Sequence, residues 1–157
     1  MAKLIYVAGP LFSQAERNFL VMMTEELSRV TSLDPITDFF LPHRDAGDIG
    51  WSGTKRETFR KDLKKLEEAS IIVALLDGSD VDSGTAVEIG YAFARGKKIL
   101  GLLTDLRAYS KREVKTYMVN NMVWGACEEG KTIFSSLDEL AKALKLCLTR
   151  ISKQNDE

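Results

Sequence analysis

Apolar runs of strand length alternate here with stretches of helical periodicity. That alternation predicts an α/β fold, a single three-layer sandwich around a five-stranded, mainly parallel sheet of flavodoxin-like or Rossmann-like type. Parallel strands joined through helices require right-handed crossovers, which place helices on both faces of the sheet. No internal repeat, low-complexity segment or interdomain linker interrupts the 157 residues. One domain over residues 1–152 is therefore expected, with a frayed polar tail at 153–157.

Leu4-Ile5-Tyr6-Val7-Ala8 is the first strand, ended by the breaker pair Gly9-Pro10. A helix follows from Ser13 or Gln14 to about Val30, with Phe19, Met22, Met23, Leu27 and Val30 on one face. Residues 36–41 read as a second strand stopped by Pro42, and a polar, Gly-rich loop with Trp51 then runs to Gly53. The segment from Thr54 to Glu68 is helical, its apolar face set by Phe59, Leu63 and Leu66. Residues 71–76 form a third, buried strand, and a helix from Ser83 or Gly84 reaches Arg95, where Gly96 is the stop. A fourth strand spans 98–103, residues 110–119 are weakly helical, and 131–134 supply a short fifth strand. Leu137, Leu140, Ala141, Leu144, Leu148 and Ile151 mark the last helix.

Bulk properties exclude several function classes. Lys plus Arg is 22 against 23 for Asp plus Glu, a balance without the basic footprint of a nucleic-acid or membrane-surface binder. No apolar run approaches membrane-spanning length, and the N-terminus enters a strand pattern directly, so a cytoplasmic protein without a leader is expected. Cys127 and Cys147 lack metal or redox spacing and read as reduced thiols. The single histidine, His43, precludes His-rich metal sites and also fits a plain polar loop residue. Neither G-x-x-x-x-G-K-[ST] nor G-x-G-x-x-G is present. Gly9-Pro10-Leu11-Phe12 stands after the first strand instead, which removes support for nucleoside triphosphate or nicotinamide binding.

The informative stretch is Asp77-Gly78-Ser79-Asp80-Val81-Asp82-Ser83-Gly84-Thr85-Ala86-Val87-Glu88, at the end of the third strand. Ligands of open α/β sheets bind outside the carboxyl ends of strands. A carboxylate cluster there suits chemistry at a sugar-like carbon, a metal site, or a solvated acidic turn. Glu88 lies in the opening turns of the following helix, whose dipole favours the ionised form by a few tenths to about 1 kcal/mol. An ionised, positioned carboxylate is what attack at an anomeric carbon requires. Asp82 fits a helix N-cap, and Asp77 and Asp80 fit turn positions. Asp62 falls on the apolar arc of its helix, where an acid needs a partner: a rim Lys or Arg, or the hydroxyls of a substrate. Tyr6 is placed to reach the same sheet edge. Phe12, Trp51 and Trp124 could each stack on a nucleobase or simply fill the core.

Taken together these segments resemble the nucleoside 2-deoxyribosyltransferase family. Ile5-Tyr6-Val7-Ala8-Gly9-Pro10-Leu11-Phe12 is similar to its opening strand and loop, and Leu41-Pro42-His43-Arg44-Asp45 to the loop after its second strand. Asp62-Leu63, the stretch Asp82 to Ala92, and Asn120-Asn121-Met122-Val123-Trp124-Gly125 follow in the family's order. The resemblance implies that Glu88 is the nucleophile at C1′ of a 2′-deoxynucleoside, oriented by Tyr6. It implies that Asp82 exchanges a proton with the leaving and incoming bases. Asp62 and Asn120 would hold the sugar hydroxyls, Met122 would pack on the ring, and Gly9, Phe12 and Gly84 would line the substrate. His43 and Arg44 would face the base.

Transfer of 2-deoxyribose between nucleobases through a covalent deoxyribosyl-Glu88 intermediate, in nucleotide salvage, is the activity implied. No metal or organic cofactor is implied, and the partners are 2′-deoxynucleosides, free nucleobases and further copies of the chain that complete each other's sites. Hydrolysis of 2′-deoxynucleoside 5′-monophosphates is the alternative enzyme activity. It calls for a first loop rich in phosphate donors, where this chain has Leu11-Phe12. A non-catalytic nucleotide-sensing module is the third reading.

Overall fold

The computed structural model describes residues 4–46, 54–105 and 119–154. Its elements are β1 (Ile5–Ala8), α1 (Gln14–Thr31), β2 (Phe39–Phe40), α2 (Pro42–Asp45), α3 (Lys55–Glu68) and β3 (Ile71–Leu75). They continue with α4 (Ser83–Ala94), β4 (Lys98–Leu102), α5 (Asn121–Ala126), β5 (Ile133–Phe134) and α6 (Leu137–Gln154). The five strands pair in the order β2-β1-β3-β4-β5, and every pairing is parallel. This is the flavodoxin-like strand order, whose direction reverses between β1 and β3.

Consecutive residues of the central strands point to opposite faces, and both faces are buried. Ile5, Val7, Ile71, Val73, Leu100 and Leu102 pack against Leu20, Met23 and Leu27 of α1 and Leu140 and Leu144 of α6. On the other face Tyr6, Ala8, Ile72, Ala74 and Ile99 meet Leu66 of α3, Ile89 and Ala92 of α4 and Val123 of α5. Two-sided burial explains why these strands read as continuous apolar runs rather than alternating ones.

The helix ends follow local chemistry. Ser13 with Glu16 and Thr54 with Glu57 form reciprocal capping boxes at α1 and α3. Gly96 takes φ +66° after α4, as the stop signal predicts. At Gly9 the constraint is space: an added Cβ would lie 2.8 Å from Leu20 Cδ2 and 3.2 Å from Leu75 Cβ. The absent side chain lets α1 and β3 close over the end of β1.

Several expectations are corrected. The second strand shrinks from 36–41 to Phe39–Phe40, because Asp34 Oδ1 accepts the Ile36 and Thr37 N–H groups at 2.8 Å and Asp38 Oδ2 accepts that of Asp34. These local bonds compete with the ladder and leave Ile36 exposed. Pro42 opens the short helix α2 instead of an irregular loop. Met22 is exposed rather than packed with its helix face. Helix α5 had no periodic signal; its six residues include Gly125, and Asn120 caps it through a bond from the Met122 N–H at 2.9 Å. Lys153 and Gln154 belong to α6, not to a frayed tail. Trp51 and the stretch 110–118 lie outside the described residues. Among those described, no helix is long and apolar enough to cross a membrane.

Candidate active site

At the carboxyl edge of the sheet, where the strand order reverses, a cavity of about 570 Å³ opens between β1, α3 and α4. Its lining includes Tyr6, Asp62, Gly84 and Glu88, four of the residues singled out from sequence, with apolar walls from Phe59, Leu63, Leu66 and Val87. The fully buried Tyr6 comes from β1 and aims its hydroxyl across to α4, donating to Glu88 Oε1 at 2.5 Å. The Tyr6 ring is braced 5.3 Å from that of Phe40 on the neighbouring strand. A strand residue and a helix residue, 82 positions apart, thus fix each other at one point.

Burial dominates the electrostatics of the pair. It pushes the Glu88 carboxyl up to about 7; the Tyr6 hydrogen bond acts against this, and the charges of Asp62 and Asp82 add to the rise. The helix dipole, the one influence on Glu88 visible in the sequence, favours the ionised form by at most about 1 kcal/mol. Desolvation outweighs it. The Tyr6 phenol is likewise held far above its ordinary value, by burial first and then by the Glu88 charge, so it stays protonated as the donor.

Asp62 lines the cavity from α3. No Lys or Arg pairs with it among the described residues, and its Oδ1 is buried without a hydrogen-bond partner. Burial pushes its carboxyl up to about 6, opposed by the Lys61 charge. An unpartnered carboxylate oxygen inside a cavity is costly unless something polar enters to meet it. The surrounding face of α3 covers the cavity rather than the core, which is why Phe59 is 62% exposed instead of buried with Leu66.

Asp82 is not among the lining residues; it precedes Ser83 and Gly84, which are, and is the N-cap of α4, accepting from the Thr85 N–H at 3.0 Å and the Thr85 hydroxyl at 3.2 Å. One Asp82 oxygen lies 3.1 Å from where a Gly84 Cβ would stand. The missing side chain at Gly84 leaves room for that oxygen, Oδ2, to accept both Thr85 bonds.

Other sequence candidates fall elsewhere. Asn120 and Met122 line a separate cavity of about 700 Å³ between α4 and α5, with Ala86, Ile89, Gly90 and Phe93 on its α4 side. This larger cavity lacks Tyr6, Asp62 and Glu88; helix α4 stands between the two groups. Met122 is 82% exposed. Phe12 is exposed and outside both linings; its carbonyl accepts from Arg17 Nη1 at 3.0 Å. Gly9 is a packing glycine and belongs to neither lining.

The Arg44 guanidinium bonds Asp45 and the carbonyls of Pro35 and Phe39, all within 2.8 Å, and secures its own turn; Arg44 is in neither lining. His43 is half-buried with Nδ1 unpartnered, and burial holds its pKa below the usual value, ahead of the Arg17 and Arg44 charges. The cavity walls Leu63, Val87 and Tyr91 were not foreseen, since their helical spacing is that of ordinary core positions.

A family model described as nucleoside 2-deoxyribosyltransferase matches residues 5–137. An uncharacterised protein of Ureaplasma parvum is 31% identical over 154 residues, covering 90% of this chain and 96% of its own. A Thermofilum pendens protein, provisionally named 2′-deoxynucleoside 5′-phosphate N-hydrolase 1, is 28% identical over 145 residues, covering 89% and 91%. Among solved structures, the 2-desoxiribosyltransferase from Leishmania mexicana shares the fold at a TM-score of 0.66 and 22% identity, covering 91% of this chain and 97% of its own.

The raised Glu88 pKa carries a stability consequence. A carboxyl whose folded pKa lies above its unfolded value stabilises the fold fully below the unfolded value, and that contribution is lost as pH rises through about 7. Glu88→Gln, neutral at all pH, should therefore gain on the order of 2 kcal/mol relative to the parent between pH 5 and pH 8. Urea unfolding at the two pH values measures this; an equal difference at both would show that the buried charge costs nothing.

Proposed function

This chain belongs to the nucleoside 2-deoxyribosyltransferase family, and on that premise we propose that it transfers 2-deoxyribose between nucleobases with Glu88 as nucleophile. One observation carries the reading: the buried Tyr6–Glu88 hydrogen bond opens onto the same cavity as the unpartnered Asp62 carboxylate. A nucleophile held at fixed geometry and a free acceptor for a sugar hydroxyl are what the reaction needs.

In this scheme a Glu88 oxygen attacks C1′ as the bond from C1′ to the base nitrogen breaks. The electron pair goes to the base, which takes a proton from Asp82, leaving an ester between Glu88 and C1′. A nitrogen of an incoming base then attacks C1′, the ester bond returns its electrons to Glu88, and the incoming base gives its proton to Asp82. Two displacements give overall retention. Tyr6 holds one Glu88 oxygen and leaves the other to react.

Hydrolysis of 5′-monophosphates, the activity in the name of the Thermofilum pendens relative, is the second reading. Asp62 argues for a free 5′-hydroxyl, because its carboxylate accepts a hydroxyl hydrogen and repels a phosphate. Incubation with deoxyinosine or thymidine in the presence of adenine should yield deoxyadenosine. Release of free base alone, with deoxynucleoside monophosphates as the better substrates, would replace transfer by hydrolysis.

The opposite flanks occupied by Glu88 and by Asn120 and Met122 support a site completed by a neighbouring copy. Asn120→Ser keeps a capping side chain on α5 while removing the amide. Mixed and reassembled with Glu88→Ala, each variant inactive alone, it should recover roughly a quarter of wild-type activity through hybrid dimers. No recovery despite demonstrated subunit exchange would confine the site to one chain.

A further inference from the structure

We propose that Asp77 is a positioning residue: by fastening the β3–α4 connection to the end of β4, it holds Asp82 in register with the leaving base. The inference rests on the proton exchange assigned above to Asp82.

The β3–β4 ladder extends to the Leu76 N–H, which donates to the Leu102 carbonyl at 2.8 Å. One residue further, a side chain takes over from the backbone. Asp77 Oδ1 accepts the N–H groups of Thr104 at 2.5 Å and Asp105 at 2.9 Å, and Asp77 Oδ2 accepts the Thr104 hydroxyl. The chain then turns sharply at Gly78, φ +139°, where a Cβ would come within 2.9 Å of the Asp80 carbonyl oxygen. Asp80 closes the turn on its own neighbour, accepting the Val81 N–H at 2.8 Å, and Asp82 caps α4.

The connection is thus held at each end by a carboxylate, Asp77 on β4 and Asp82 on α4. Among the described residues no other side-chain hydrogen bond ties residues 77–81 to the sheet. Glu88 has independent anchors, namely its bond to Tyr6 and the burial of Ile89 and Ala92 beside it. Among the described residues the hydrogen bonds of Asp82 all stay within α4: its side chain accepts from the buried Thr85 and its carbonyl from the Ala86 N–H, and none reaches the sheet. Releasing the Asp77 end therefore disturbs the proton-exchanging group more than the nucleophile. It also releases Thr104 and Asp105.

The test compares donors whose leaving base needs a proton with donors whose base does not. 7-Methyl-2′-deoxyguanosine serves against deoxyinosine, and 5-nitro-2′-deoxyuridine against deoxyuridine. Asp77→Ala should lower kcat on the parent donors roughly 10-fold or more beyond any loss on the activated ones. Thr104→Val, which keeps both backbone donors and loses only the hydroxyl, should act in the same sense more weakly; it carries the comparison if Asp77→Ala does not fold. Asp77→Asn should restore the parent pattern, because its amide oxygen can accept both N–H groups while its NH₂ donates to the Thr104 hydroxyl. Asp82→Asn is the control. If Asp82→Asn discriminates between the donors and the Asp77 and Thr104 variants do not, the positioning role fails alone. If Asp82→Asn lowers both donor classes equally, the assignment of Asp82 fails and the positioning role falls with it.

Discussion

Everything assigned to this site depends on the Tyr6 hydroxyl meeting Glu88 across the boundary between sheet and helix. A phenol with no exposed surface and a carboxyl on α4 share a 2.5 Å hydrogen bond. Either group alone there would carry a cost, since an unsatisfied buried hydroxyl costs free energy and an isolated buried carboxylate costs more. The strand order makes the meeting possible. Because β1 lies beside β3, the helix that follows β3 starts directly over the end of β1. The same arrangement brings α3 alongside, so Asp62 faces the cavity that the pair opens onto.

Burial then sets the chemistry available. Glu88 near 7 is poised between its two protonation states at neutral pH, and Asp62 near 6 is mostly ionised there. The charges of Asp62 and Asp82 both act on Glu88, while Lys61 opposes the rise at Asp62 by its charge. No Lys or Arg forms a salt bridge with Asp62 or Glu88 among the described residues. A structural network would have placed a cation there, as Arg95 does beside Glu67 at the far end of α3 and α4. An acidic cavity without an ion pair is the arrangement expected where a neutral, hydroxyl-rich ligand completes the hydrogen bonding.

Most of the fold was legible because its signal is periodic. Strands buried on both faces read as apolar runs, and α1, α3 and α6 repeat their apolar residues at helical spacing. What failed did so for local or non-local reasons. The Asp34 side chain takes the N–H groups of Ile36 and Thr37, and its carbonyl that of Asp38, groups a longer strand would have used. Phe59 has the spacing of a core residue, but periodicity reports a face and not whether that face covers core or cavity. Within the site, residue type and position singled out Tyr6, Asp62, Asp82 and Glu88. The desolvation of Glu88 depends on neighbours distant in sequence, and the carbonyl partners of Arg44 carry no side-chain signal, so neither is legible in the sequence. The bond from Thr104 to Asp77 spans 27 positions with no motif to announce it.

The central claim is that the Glu88 oxygen left free by Tyr6 forms a bond to C1′. Wild-type protein incubated with a 2′-deoxynucleoside and no acceptor base, quenched in acid, digested and mapped by mass spectrometry tests it directly. The account predicts one deoxyribosyl adduct, on the peptide containing Glu88 and localised to that residue, which disappears when an acceptor base is added before quenching. An adduct on another residue, or turnover under the same conditions with Glu88 unmodified, would contradict it.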